Sequence, residues 1–101
     1  MFYRVSNGGS SDFTLVGGAS NVPTATFSNI IIGDKYIYVA TYNNGSTYVS
    51  GITGATSKLL GQVTGAIYNT NPVAQVFELV ATSSTIQTSI INSGGHMLFH
   101  L

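Results

Sequence analysis

No stretch of ten or more residues in this chain places apolar side chains at helical spacing, and this constrains the fold more than any other feature. The nearest candidate, SKLLGQVTGAIY, is interrupted by Gly61 and Gly65. β-Branched and aromatic residues dominate, and clusters of Gly, Asn and Ser punctuate them. The pattern predicts about nine short strands, near 2–6, 12–17, 24–32, 35–43, 46–53, 58–68, 73–82, 85–91 and 96–101. Their connections are mostly short enough for hairpins. The expected fold class is all-β: an antiparallel β-sandwich, jelly-roll-like, of about eight or nine short strands. At 101 residues the chain predicts a single β-sandwich domain, 1–101, able to bury a core without disulfides or metal. Gly61 and Gly65 predict a bulge or a close approach of another strand.

The segment IIIGDKYIYVATYNNGSTYVSGI, residues 30–52, gives the sharpest local expectation. Gly33-Asp34 suits a type II′ turn and Asn44-Gly45 a type I′ turn, so residues 24–53 read as a three-stranded meander. Its register would set Ile31 opposite Tyr36, Phe27 opposite Ala40 and Tyr38 opposite Gly51. One side would carry Phe27, Ile31, Tyr36, Tyr38, Tyr42 and Val49; the other, an aliphatic core side, Ile30, Ile32, Ile37, Val39, Ile52 and Tyr48. The tyrosine side has three readings: a second layer of intramolecular core, a subunit interface, or a platform on which sugar rings stack. Phe27, Tyr36, Tyr38 and Tyr42 are the candidate interface or glycan-binding residues.

Charge is scarce: 6% of residues, with three cations and three carboxylates summing to zero. An ordinary domain is about 25% charged. Three scattered cations make no phosphate-binding surface, which argues against nucleic acid, and they argue equally against docking on anionic lipid. No apolar run approaches the roughly 20 residues of a membrane span. The start MFYRVSNGGSSD shows no secretory signal, and there is no cysteine from which to read a redox compartment. Near-zero net charge favours association.

The chemical inventory is thin. Asp34 is used by its turn, and Asp12 opens a strand after Ser and Gly. Glu78, in QVFELVA, sits among apolar neighbours, where it could catalyse an internal bond between Lys35 or Lys58 and an asparagine such as Asn92; a solvated face or strand edge is its plainer position. His96 and His100 share a face of the last strand with Leu98, opposite Met97, Phe99 and Leu101. At about 13 Å apart along a strand they cannot ligate one metal, and they read as two partly exposed histidines. No nucleophile constellation, phosphate loop or cofactor motif is visible, so the chain reads as non-enzymatic with no cofactor.

In its richness in Gly, Ser, Thr, Asn and Tyr, its low charge, lack of cysteine and signal peptide, short strands throughout and apolar final strand, the chain resembles small β-rich virion proteins of tailed phages and prophages: tail-fibre tips, receptor-binding heads, head-fibre or decoration proteins. The resemblance implies a structural or adhesion protein that assembles as a homo-oligomer, a trimer first of all, binds a host-surface glycan, and is found in the virion or outside the cell after lysis. It supplies no motif by which a functional residue could be carried over. The alternative is a monomeric carbohydrate-binding β-sandwich with Tyr36, Tyr38 and Tyr42 as its platform.

Overall fold

The computed structural model describes residues 14–42, 49–68 and 71–101; the side chains of residues 42, 62–68, 71–73, 92 and 93 lie outside that description. The described residues form six strands and no helix: β1 (Thr14–Phe27), β2 (Lys35–Tyr42), β3 (Val49–Thr53), β4 (Ala55–Tyr68), β5 (Asn71–Ala81) and β6 (Ile86–His100). All pairings are antiparallel and belong to one sheet, ordered β1-β6-β2-β5-β4, with β3 also on β6. β6 organises this sheet. β1 runs along one of its edges from the Thr14–His100 pair to the Phe27–Ile86 pair. β2 and β3 follow one another along its other edge, β2 against 94–100 and β3 against 87–90.

The all-β antiparallel expectation holds, and the strand plan is corrected. Segments 12–17 and 24–32 become the single strand β1, which ends at Phe27, and segments 85–91 and 96–101 become β6. Segment 2–6 lies outside the described residues. The long strands bend rather than turn. Gly17 and Phe27 are ten residues apart on β1, about 33 Å if the strand were straight, yet a Cβ on Gly17 would lie 3.6 Å from Phe27 Cδ1. Thr88 and His96 are eight residues apart on β6, yet their side chains are 3.0 Å apart. The bend coincides with register shifts between Ser20, Val22 and Thr24 on β1, where Asn21 takes a left-handed φ of 59° and Pro23 has no N–H to give a ladder. The sheet thus folds back on itself, and its halves face each other.

The meander expected over 24–53 is also corrected. β2 does not pair with β1 or β3; its neighbours are β5 and β6. Gly51 lies opposite Ser89, not Tyr38. Asn29, with φ 58°, turns the chain out of the sheet. The Ile30 amide then donates to Ser84 O, and the Gly33 amide to Ala81 O, carrying the connection to the end of β5. The turn itself closes from the Asp34 amide to Ile31 O, so Gly33, at φ 90°, stands third, as in a type II turn rather than II′. Asn44-Gly45, Thr47 and Tyr48 lie outside the described residues. The bulge expected in β4 is present between Leu59 and Gly61, and a second irregularity between Thr64 and Tyr68 spans Gly65.

Two apolar clusters lie on the two faces of β2. The larger fills the space between the folded halves: Ala25, Phe27, Ile30, Tyr36, Tyr38, Ala40, Leu79, Ala81, Ile86, Ile90 and Leu98. The other comprises Ile37, Val39, Ala74, Val76, Met97 and Phe99. Strand alternation sends even-numbered residues of β2 into the first and odd-numbered ones into the second, so β2 reads as an apolar run, as expected of a strand buried on both faces.

Candidate functional site

The polar groups of the interior gather at the bend. His96 is fully buried, and so are Tyr38 and Thr88. The His96 Nε2 lies 2.9 Å from Val22 O, and its Nδ1 lies 2.6 Å from the Tyr38 hydroxyl and 3.0 Å from Thr88 Oγ1. A carbonyl oxygen can only accept, so Nε2 carries the proton and donates it to Val22. In the neutral ring Nδ1 is then bare, and it accepts from the Tyr38 hydroxyl. Burial pushes the Tyr38 phenol up to about 12, with a hydrogen bond from Thr88 opposing the rise. Burial pushes the His96 imidazole below its ordinary value, and its bond to the Val22 backbone opposes that. One imidazole therefore joins β1, β2 and both halves of β6 at a place where β1 and β6 have lost regular pairing.

A second polar group sits where β2 begins and β6 ends. His100 Nε2 lies 2.9 Å from Asp34 Oδ2, with the two side chains 28% and 44% exposed. The His100 ring stacks on Tyr36, centroids 4.5 Å apart and planes 14° apart. The Tyr36 hydroxyl accepts the Ile31 amide at 2.9 Å. Asp34 thus does more than make its turn: it also fixes a ring on the following strand's neighbour.

Phe27, Tyr36 and Tyr38 of the tyrosine stripe are intramolecular core. Tyr36 is 1% exposed, Tyr38 0% and Phe27 5%, so no ring face is left for a sugar or a second subunit. His100 covers Tyr36, and Phe77 and His96 tilt against Tyr38 with centroids 6.2 and 6.0 Å away. Phe27, Tyr36, Tyr38 and Val49 do belong to one cluster, but Ile30 and Ile52 join them there, and Ile31 and Ile32 are exposed. Tyr42 ends β2 opposite Val73 and Gly94; its side chain lies outside the described residues. His96 is a further correction: it is buried, not partly exposed, because the bend brings Thr88 and Val22 onto its ring. On the opposite face Met97 and Phe99 are buried, while Leu101 is exposed.

Glu78 is half-buried opposite Lys58 on β4 and Ile37 on β2, on the face away from His96. Asp12 and the Asn92 side chain lie outside the described residues. Among the described residues no three His, Asp or Glu side chains are grouped to hold a metal, and no helix is long and apolar enough to cross a membrane. Compared with known protein families, characterised proteins and solved structures, the chain matches none.

The remaining feature is the edge formed by β1. Among the described residues β1 pairs with β6 alone, leaving its other edge without a partner strand. From Thr14 to Ser20 that edge carries no charge and no proline, and it exposes Leu15 and Val16. A groove of about 280 Å³ lies along it, with Leu15, Gly18 and Met97 in its lining.

Proposed function

We propose that this chain is a non-enzymatic structural or adhesion protein of a phage particle that assembles as a homo-oligomer through the edge of β1 that no described strand covers. Its folded-over sheet serves as a jelly-roll-like sandwich, and the particle carries it out of the cell on lysis. The observation that carries this reading is the uncharged stretch Thr14–Ser20, with Leu15 and Val16 exposed beside an apolar groove. Exposed sheet edges are normally blunted by lysine, proline or a covering element, because bare N–H and C=O groups template pairing with another chain. This stretch has none of the side-chain guards, and zero net charge removes the repulsion that would keep copies apart. Pairing along it would supply main-chain hydrogen bonds, and the groove would take apolar side chains from the second copy.

Light scattering on a size-exclusion column at two concentrations tests the proposal. A stable oligomer, with a trimer expected, that shifts to smaller species in Val16→Lys supports it. A monomer at both concentrations, or an oligomer indifferent to Val16→Lys, overturns it.

A further inference from the structure

We propose that His96 is an acid-operated clasp: on taking up a proton it releases the bend of the sheet, freeing β1 and the first half of β6 from β2. The inference concerns the single chain and does not rest on the assembly reading.

The geometry at the ring carries it. In the neutral form every polar atom of the imidazole is satisfied, Nε2–H by the Val22 carbonyl and Nδ1 by the Tyr38 hydroxyl, with Thr88 beside it. A second proton belongs on Nδ1, and the Tyr38 hydroxyl that now donates to this atom would have to turn away from it. The new charge is enclosed at a fully buried site. Among the described residues, no group facing the ring carries an opposite charge. From β2 comes Tyr38, a phenol that stays neutral; from β1, the Val22 carbonyl; from the first half of β6, Thr88. On β6 itself, His100 is turned to Asp34. From β5, Phe77 packs against Tyr38, and Glu78, in register with Lys58 of β4, lies on the opposite face. A buried charge without a partner costs far more than a hydrogen bond regains.

The bend is also where least backbone bonding resists opening. Pairing on β1 shifts register twice between Ser20 and Thr24, and the partner positions on β6 jump from Gly94 to Ser89. The ring's three contacts replace ladder bonds there. Once the bend opens, the imidazole meets water and regains an ordinary affinity for protons, near pH 6.5. The folded value lies below that. The closed form is therefore fully favoured above about pH 6.5 and loses ground as pH falls toward the folded value, because the open form binds one more proton.

Amide hydrogen exchange on the intact chain at pH 7.5 and pH 5.0, corrected for intrinsic rates, tests this. In the wild type, protection over residues 17–24 and 88–96 is expected to fall by roughly tenfold per pH unit below 6.5, the slope of one linked proton. Protection over the β2–β5 pairing should hold. His96→Gln keeps a donor for Val22 and an acceptor for Tyr38 but cannot titrate, and its bend should exchange alike at both pH values. Unchanged wild-type protection at the bend overturns the proposal, as does an equal fall in His96→Gln. Should that variant not fold, the wild-type imidazole is followed by nuclear magnetic resonance. A ring that protonates near pH 6.5 with the bend still protected overturns the clasp; one that stays neutral until the bend opens supports it.

Discussion

The Tyr38 hydroxyl and His96 Nδ1, 58 positions apart in the chain, meet at 2.6 Å inside the bend of the sheet. Both side chains are cut off from water, so the bond has no solvent competitor and its loss has no solvent remedy.

Tyr38→Phe removes that hydroxyl while leaving the ring against Phe77. His96 Nδ1 then keeps only Thr88 as a partner. The substitution should lower stability by about 0.5–1.5 kcal/mol, the range for losing one hydrogen bond whose acceptor keeps another partner. Urea unfolding checks this, with an unchanged slope and a lower midpoint expected. A change below about 0.5 kcal/mol would mean that the hydroxyl is not tied to the ring as described.

At the alkaline end the same residue sets a second pH limit. A free phenol ionises near pH 10, whereas burial holds Tyr38 protonated to about 12. The folded state therefore binds more protons than the unfolded one between those values. The stability Tyr38 contributes is complete below pH 10 and is lost as pH rises toward 12, by about 3 kcal/mol over that interval. Melting temperature measured from pH 9 upward should fall more steeply in the wild type than in Tyr38→Phe. Phenolate absorbance should include a component, absent from Tyr38→Phe, that rises only as the chain unfolds.

The contrast between β2 and β1 shows what was legible in the sequence. β2 was placed within a residue, because its run of aromatic and β-branched side chains between Asp34 and Asn44 fits a strand and nothing else. The β4 bulge was legible from Gly61 for a similar local reason. GASNVP and NSGG carry turn residues that by themselves would divide β1 and β6 into two strands each; the chain uses those residues to bend within a strand. Local turn chemistry also paired β2 with its sequence neighbours, but bonds from Ile30 to Ser84 and from Gly33 to Ala81 carry it to β5. The His96 site was illegible as a consequence, since Val22, Tyr38 and Thr88 converge only after both strands fold over. One signal did point to it: a histidine sharing its face with Leu98 in an otherwise apolar strand has to find partners if buried.

Two glycines should respond differently to the same substitution. Gly33 has φ 90° with nothing near the position a Cβ would take, so Gly33→Ala carries only left-handed strain, about 1–2 kcal/mol. Gly54, between β3 and β4, has φ 85°, and a Cβ there would run into the Thr85 carbonyl. Its own carbonyl accepts the Thr82 and Ser83 amides, so the backbone cannot shift freely to make room. Gly54→Ala should cost about 2–5 kcal/mol, strain and overpacking together. Chemical denaturation of both variants checks the order; equal losses would mean that the β3–β4 corner is less tightly closed than described.

His100 makes two contacts of different kinds, and substitution can separate them. Its hydrogen bond to Asp34 joins side chains that are 28% and 44% exposed, so a double-mutant cycle with Asp34→Ala and His100→Ala should give a coupling of only about 0.2–1 kcal/mol. The stack on Tyr36 is better sheltered, because Tyr36 is buried and His100 is what lies over it. A stacked aromatic pair adds roughly 0.5–1.5 kcal/mol beyond its area. His100→Ala should therefore cost more than Asp34→Ala, and His100→Phe, which keeps a ring over Tyr36 but cannot bond Asp34, should cost about as much as Asp34→Ala. If His100→Phe is as damaging as His100→Ala, the carboxylate and not the ring holds this corner, and the coupling measured in the cycle must then rise above the range for exposed pairs.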